Sequence, residues 1–248
     1  MIEIKGVSQS YIAGKNVIDN MNLNIEDGVV FGFLGPNGAG KTTTIDMITG
    51  VVKIDEGDIL IDGKSIIKYP MAAKSKFGFV PDSPDMFEKL TGLEYLNFIG
   101  DVYGINSKER FERVTELSNK FGIYDNLKDR IQSYSHGMKQ KLLIISVLLH
   151  NPKNWILDEP MTGLDPKASH TLKELMKEHS RKGNTVFFST HVLEVAEKIC
   201  DKIAIIDSGK IIFVGTIEEL HQKLNSKDSL EDSFLKIIQG GTNDWKVW

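Results

Sequence analysis

The sequence predicts an α/β protein with a mainly parallel sheet, an antiparallel β layer and an inserted α-helical segment. Three apolar runs, 155–157, 185–189 and 203–206, are rich in β-branched and aromatic residues and hardly alternate with polar ones. This pattern is typical of parallel strands that are buried on both faces, with helices between them. Residues 2–34 instead contain short strand-like runs joined by polar turns, and apolar residues recur at helical spacing between about 83 and 153.

The antiparallel layer is expected from the N-terminal runs. Polar stretches at 13–16 and 26–28 favour turns between them. Residues 55–64 predict a further strand that an Asp-Gly turn closes. Residues 77–80 predict a short strand before the helical segment begins.

Two helices of the inserted segment are expected to pack into a core. Phe111, Val114, Leu117 and Phe121 recur at helical spacing within a charged stretch, which predicts a buried face. A second, strongly apolar helix is predicted over 137–150, where an Asn-Pro pair stops it.

Length, charge and cysteine content exclude several classes of protein. The chain has 248 residues and a formal net charge of −4 without a basic block, so an extended nucleic-acid surface is not expected. The apolar run 142–149 is far shorter than the ~20 residues that span a bilayer. Cys200, the single cysteine, is expected to pack as a small apolar side chain in a reducing, cytoplasmic compartment. The N-terminus lacks the basic and apolar pattern of a signal peptide.

A phosphate-binding loop lies between a predicted strand, 29–34, and a predicted helix. Residues 35–43 read GPNGAGKTT and fit the pattern G-x-x-x-x-G-K-[ST]. Glycines allow consecutive backbone N–H groups to face an anion, and the helix dipole adds positive charge. Lys41 can reach the β- and γ-phosphates of a nucleoside triphosphate, and the Thr42 hydroxyl is placed to bind Mg²⁺. The candidate nucleotide-binding residues of the loop are Gly35, Asn37, Gly38, Ala39, Gly40, Lys41, Thr42 and Thr43.

Polar side chains follow two of the predicted parallel strands. Asp158 and Glu159 end one strand, where a carboxylate can hold Mg²⁺ and a second one can accept a hydrogen bond from an attacking water. His191 follows another strand and is placed to contact a γ-phosphate. Solvent-exposed acids and an inert histidine are the alternatives. The other five histidines show no metal-ligand spacing.

The helix over 137–150 begins with an unusual charge arrangement. Ser135 is a candidate N-cap, and Gly137 permits close approach of another backbone. Lys139 and Lys141 lie in the first turn, where the helix dipole disfavours cations. An anion docking there would relieve this conflict, and a helix start with surface lysines is the alternative.

Five separate motifs together resemble ABC-type ATP-binding cassettes over about residues 2–215. They are the phosphate loop, the Ser-x-Gly helix start at 135–137, LDEP at 157–160, TGLD at 162–165 and STH at 189–191. The resemblance implies an ATPase that uses ATP and Mg²⁺ and works as a head-to-tail pair of identical or different cassettes. It also divides the chain into an ATP-binding domain, residues 1–215 with a helical subdomain at about 83–153, and a C-terminal helical extension, residues 216–248.

The resemblance assigns roles to further residues. Tyr11 matches the aromatic residue that stacks on adenine, and Ser135 with Gly137 matches the signature that touches the γ-phosphate bound to the second cassette. Asp165 matches the loop that communicates between the two cassettes. Asp82 stands where the family usually has glutamine, so we expect it to be able to reach the metal.

The departures from the usual pattern are similar to those of cassettes that drive ABC-2-type bacterial exporters. The signature reads YSHGM at 134–138, and SLEDSF at 229–234 resembles the same branch. This implies a separate membrane-spanning subunit and a peripheral place on the cytoplasmic face of the membrane. The segment 83–95 would receive that partner, with Phe87, Leu90, Leu93 and Tyr95 as apolar candidates, although all four could instead be core residues.

Two other functions remain open at this point. One is a soluble ABC ATPase that acts on ribosomes or DNA, although such proteins usually carry tandem cassettes, long insertions or zinc-binding cysteines. The other is a regulatory cassette that binds ATP without turnover, which Asp82 and the altered signature would favour.

Overall fold

The structure is a computed structural model that describes residues 1–12, 15–83, 87–224 and 229–239. The predicted turn at 13–16 and the C-terminal extension therefore lie partly outside the described residues. Ten strands are described: β1 Ile2–Ile12, β2 Lys15–Ile25, β3 Val30–Leu34, β4 Glu56–Ile61, β5 Lys64–Ser65, β6 Phe77–Val80, β7 Asn154–Leu157, β8 Thr185–Thr190, β9 Lys202–Asp207 and β10 Lys210–Gly215.

The described parts of the chain also contain nine α-helices, which lie between or after these strands. They are α1 Lys41–Thr49, α2 Pro70–Lys74, α3 Gly92–Val102, α4 Ser107–Phe121, α5 His136–Leu149, α6 Pro166–Arg181, α7 Leu193–Ile199, α8 Ile217–Lys223 and α9 Leu230–Gln239. Local sequence explains several of their starts. Side-chain oxygens of Thr91, Asn106, Asp165 and Thr216 accept backbone N–H groups at the N-termini of α3, α4, α6 and α8.

A six-stranded sheet in the order β10-β9-β3-β8-β7-β6 forms the centre of the molecule. β3, β6, β7, β8 and β9 are parallel, and β10 pairs antiparallel with β9. All residues of β3, β7 and β8 are buried, as their continuous apolar sequences predict.

A four-stranded antiparallel sheet, β2-β1-β4-β5, lies against the phosphate-loop side of the molecule. Its apolar side chains share one core with α1 and the central sheet, which includes Ile18, Ile45 and Phe33. The turn between β4 and β5 is the predicted Asp62-Gly63 pair, and both residues have positive φ. The prediction of an α/β fold with a mainly parallel sheet, an antiparallel β layer and an inserted helical segment is confirmed.

The inserted segment consists of α3, α4, two short 3₁₀ turns and α5. Val114, Leu117 and Phe121 are buried in its core. The prediction for Phe111 is wrong, because its side chain is 66% exposed. Helical spacing identifies a face of the helix but not how much of that face the neighbouring helices cover.

The residues after β10 pack on the edge of the sheet. Leu220 of α8 and Leu230 and Ile237 of α9 join a cluster with Ile203 and Ile205 of β9. None of the helices in the described residues is both long and apolar enough to cross a bilayer. Cys200 packs beside Gly32, and burial raises the pKa of its thiol, as expected for an unreactive side chain.

Candidate nucleotide site

The loop between β3 and α1 closes tightly on the β layer and the sheet. Gly38 and Gly40 have φ values of 81° and 107°, which favour glycine. A Cβ on Gly40 would lie 2.5 Å from Ile18 Cδ1, and one on Gly35 would lie 2.4 Å from the Ile206 carbonyl oxygen. No side chain caps the N-terminus of α1, which leaves its first N–H groups directed at the loop. The loop can therefore cradle an anion.

The Lys41 side chain folds back over this loop and is only 7% exposed. Its ammonium donates hydrogen bonds to the carbonyls of Gly35 at 2.8 Å and Pro36 at 3.3 Å. It also lies 3.8 Å from the Glu159 carboxylate. The buried Lys41 ammonium is thus held over the loop by carbonyl and carboxylate contacts that an anionic ligand can replace.

Asp158 is buried at the end of β7 and is held from two sides. The Ser189 hydroxyl donates a hydrogen bond to its carboxylate, and Thr42 also hydrogen-bonds it. Burial raises the pKa of Asp158, and the negative charges of Asp82 and Glu159 raise it further, whereas the hydrogen bonds from Ser189 and Thr42 oppose this rise. The carboxylates of this site therefore repel one another.

Glu159 lies between Lys41 and His191, the residue that follows β8. Its backbone has a φ of 44°, an unusual value for a residue with a side chain. Its N–H donates to the Ser189 hydroxyl oxygen at 3.0 Å. Its carboxylate accepts a hydrogen bond from the His191 backbone N–H at 3.3 Å and lies 3.0 Å from the ring nitrogen Nδ1 of His191. Ser189 therefore binds both acids, a contact that the sequence did not reveal.

The loop, Glu159 and His191 face one cavity of about 520 Å³, whereas buried Asp158 does not line it and is connected to it through Thr42. Its walls are Val17, Asn37, Gly38, Gly40, Lys41, Thr42, Thr43, Asp82, Glu159, Thr162 and His191. Val17 and Thr162 were not predicted. Thr162 opens the TGLD motif at 162–165, but that motif gave it no place in the nucleotide site. A larger cavity of about 1080 Å³ between β2 and β10 is not a candidate, because its charged side chains pair with one another, as Lys202 does with Glu26.

Several predicted residues lie at the edge of this cavity or away from it. Gly35 and Ala39 belong to the loop but do not line the cavity, and both pack tightly against their surroundings. Tyr11 lies at the mouth, where its hydroxyl is 3.4 Å from Thr43 Oγ1 and its ring is exposed. Ser135 and Gly137 are not among the residues that line the cavity.

Ser135 caps α5 as predicted, since its hydroxyl accepts the Met138 N–H at 3.3 Å. The charge conflict of the first-turn lysines is relieved within the chain, so it does not itself indicate an external anion. Lys139 lies 2.5 Å from a Glu88 carboxylate oxygen, and Lys141 lies 2.6 Å from one of Asp165. Carboxylates from two distant segments of the same chain therefore neutralise both cations.

The oxygen atoms near the loop suit a divalent cation that keeps part of its water shell. Thr42 and Asp158 supply hard oxygen ligands side by side, and Asp82 lines the same cavity. The described residues contain no group of three His, Cys, Asp or Glu side chains that could enclose a metal. Mg²⁺ commonly binds one or two protein oxygens together with water and phosphate oxygens, so the residues present fit it.

Comparisons with known proteins give consistent results. Residues 18–162 match the protein family described as ABC transporter. The linearmycin resistance ATP-binding protein LnrL of Bacillus subtilis is 35% identical over 244 residues, which cover 98% of this chain and 76% of LnrL. A solved ATP-binding subunit of an ABC transporter has a TM-score of 0.91 and 32% identity and covers 96% of this chain and 99% of its own.

A dimeric structure is also similar. The ATP-binding cassette MJ0796, bound to ADP and Pi in a post-hydrolysis state, has a TM-score of 0.78 and 25% identity. The match covers 88% of this chain and 99% of MJ0796.

The raised pKa of Asp158 predicts a stabilising substitution. The folded protein binds the Asp158 proton more tightly than the unfolded chain does, so ionised Asp158 reduces the free energy of unfolding at neutral pH. Without nucleotide and Mg²⁺, Asp158→Asn should raise Tm at pH 7 by about 2–4 °C, the shift that roughly 1 kcal/mol produces in a chain of this size. The gain should shrink as pH falls through the folded pKa.

Thermal unfolding of both proteins between pH 7.5 and 4.5 checks this prediction. Asp165→Asn is the matched control, because the hydrogen bond from Lys141 lowers the pKa of Asp165, and its replacement should bring no gain at pH 7. A lower Tm for Asp158→Asn at pH 7 would contradict the electrostatic argument.

Proposed function

The chain belongs to the ABC transporter family as an ATP-binding subunit, and we propose that it drives substrate export through a separate membrane-spanning subunit. Members of this family are ATPases, and the chain is one as well. One observation supports a hydrolytic site: the phosphate loop, Glu159 and His191 line a single cavity, and buried Asp158 hydrogen-bonds Thr42 of that lining.

Phosphate binding is proposed for the loop and Lys41. The N–H groups at the start of α1 and the positive end of its dipole would hold the phosphate oxygens of ATP. The Lys41 ammonium would exchange the Gly35 and Pro36 carbonyls for the β- and γ-phosphates. Tyr11, at the mouth of the cavity, is proposed to stack on adenine.

Mg²⁺ binding is proposed for Thr42 and Asp158. Burial and then the charges of Asp82 and Glu159 raise the Asp158 pKa, and a bound cation would favour the ionised carboxylate again, because a metal reverses the penalty of close carboxylates. Asp82 would approach the same cation from the opposite wall of the cavity. Its shorter, anionic side chain would make closure of the segment after β6 depend more on the metal than glutamine would.

Glu159 and His191 are proposed to act on the water that attacks the γ-phosphate. The Glu159 carboxylate is fixed by Lys41 on one side and by the His191 backbone and ring on the other. A carboxylate oxygen held in this way can accept a hydrogen bond from water and orient it. His191, which is exposed, is placed to contact the γ-phosphate.

A second cassette, identical or different, would complete the site. Ser135 and Gly137 lie outside this chain's own cavity and are accessible at the start of α5. The dimeric structure of MJ0796 supports a pair in which they reach the γ-phosphate bound to the partner. Residues 1–215 would form the ATP-binding domain, with residues 216–248 as an extension.

An exposed apolar surface is proposed to bind the membrane-spanning subunit at the cytoplasmic face of the membrane. Phe87 is 59% exposed, and its ring lies 5.7 Å from Phe98 and 6.4 Å from Tyr95. Leu93 is also exposed, whereas Tyr95 is buried and belongs to the core. Export is supported by the name of the relative LnrL, a resistance protein.

Glu159→Gln should bind ATP but lose most turnover. Loss of a water-orienting carboxylate typically lowers the rate about 10²–10⁴-fold. ATP hydrolysis and size-exclusion chromatography with ATP and Mg²⁺ check this, and the variant should accumulate as a dimer. Glu194→Gln, an exposed glutamate on α7, is the control and should hydrolyse ATP normally. Turnover close to the wild-type rate in Glu159→Gln would remove Glu159 from the catalytic role.

Phe87→Ala should reduce transport by the assembled complex and leave the ATPase activity of the isolated subunit unchanged. The reason is that Phe87 lies on the surface, apart from the residues of the nucleotide cavity. Phe111→Ala, which removes another exposed phenylalanine, is the matched control. Failure of every cross-linker at position 87 to capture the membrane subunit would refute this docking surface.

A further inference from the structure

Gln140 is the most unusual buried polar side chain among the described residues. It is 0% exposed, yet neither its Oε1 nor its Nε2 has a hydrogen-bond partner. An amide side chain can accept two hydrogen bonds and donate two, and most buried side-chain polar atoms find a partner. The state described here therefore carries an unpaired amide in its core.

Helix geometry directs the Gln140 amide towards the part of α5 that contacts the turn after β7. Gln140 is one turn after His136 and Gly137 on α5, and long helical side chains point back towards the N-terminus. At that level α5 contacts Gly163: a Cβ on Gly137 would lie 2.6 Å from the Gly163 carbonyl oxygen, and one on Gly163 would lie 2.3 Å from His136 Cδ2.

The turn 161–165 links this face of α5 to the nucleotide cavity. Thr162 lines the cavity, and its N–H donates to the Glu159 carbonyl at 3.1 Å. At the other end, Lys141 of α5 holds Asp165 at 2.6 Å. Between these points, neither the N–H nor the C=O of Gly163 is hydrogen-bonded within the described residues. In the described residues, Gly163, whose backbone groups are unpaired, therefore contacts α5 one turn before Gln140, whose side-chain amide is also unpaired.

We propose that Gln140 is a positioning residue whose side-chain amide hydrogen-bonds the Gly163 backbone when two cassettes close on ATP. In the state described here the amide is unpaired, so closure is favoured by the pairing that it provides. Movement of the turn 161–165 towards α5 would also fix Thr162 and Glu159 at the nucleotide. This inference rests on the proposed pairing of two cassettes.

Gln140→Met tests the inference, because methionine keeps the length of the side chain and removes its polar atoms. Tm of the nucleotide-free protein should rise by about 2–4 °C, since an unpaired buried amide is lost. In the Glu159→Gln background, ATP-driven dimerisation should weaken about tenfold. A purely structural role would move both quantities in the same direction, so the opposite signs are the diagnostic result.

Thr115→Val is the matched control, because the Thr115 hydroxyl on α4 is also buried and without a partner. It should raise Tm and leave dimerisation unchanged. Unaltered dimerisation of Gln140→Met, or a lower Tm, would overturn the inference. If Glu159→Gln itself does not dimerise with ATP while Gln140 is intact, the proposed function has failed instead.

Hydrogen exchange provides a measurement that needs no substitution at 140. In Glu159→Gln, ATP and Mg²⁺ should protect the Gly163 amide from exchange, because that N–H becomes hydrogen-bonded. An exchange rate at Gly163 that ATP leaves unchanged would overturn the inference whether or not Gln140→Met folds.

Discussion

The candidate site depends on the parallel pairing of β3, β8 and β7. Leu34 at the end of β3 is opposite Thr190 of β8, and Leu157 at the end of β7 is opposite Phe188. Because parallel strands end at the same edge, the phosphate loop, the two acids and His191 must meet there. A shift of one residue between β7 and β8 would turn the Ser189 hydroxyl away from Asp158 and break its hydrogen bonds to the Asp158 carboxylate and the Glu159 backbone N–H.

The sheet edge that results brings several carboxylates together, which is electrostatically unfavourable. Asp46 on α1 adds to the carboxylates there, since burial and then the charge of Asp158 raise its pKa. Lys41 is the cation that faces Glu159, and loop carbonyls hold it in place. A ligand that brings phosphates for Lys41 and a divalent cation for the acids would satisfy both sides at once. The electrostatic cost of placing these carboxylates together and the affinity for ATP with Mg²⁺ would then have the same origin.

The sequence predicted those parts of the structure that follow from local patterns. Continuous apolar runs identified the buried parallel strands, and polar residues after them identified the shared edge. Contacts between distant segments could not be read in this way. Lys139 meets Glu88 across 51 positions and Lys141 meets Asp165 across 24, so the isolated first turn of α5 suggested an anion that the chain itself supplies.

The sequence pattern also did not show which side chains are exposed and which are buried. Helical spacing placed Phe111 on an apolar face, but it carries no information on how far the neighbouring helices extend. The wall formed by Val17 depends on how the β layer lies over α1, which is a property of tertiary packing. Ser189 reads as an ordinary strand residue until β7 is placed beside β8.

Mixing two inactive variants tests most directly whether each nucleotide site is completed by the partner. Lys41→Ala lacks the phosphate-binding ammonium, and Ser135→Arg blocks the α5 start that would face the partner's nucleotide. Neither should hydrolyse ATP alone. In a mixed pair, one site carries both changes and the other carries none, so ATPase activity should reappear on mixing. The shared-site account would be contradicted by an inactive mixture in which both variants are folded and associate and the Ser135→Arg subunit binds ATP.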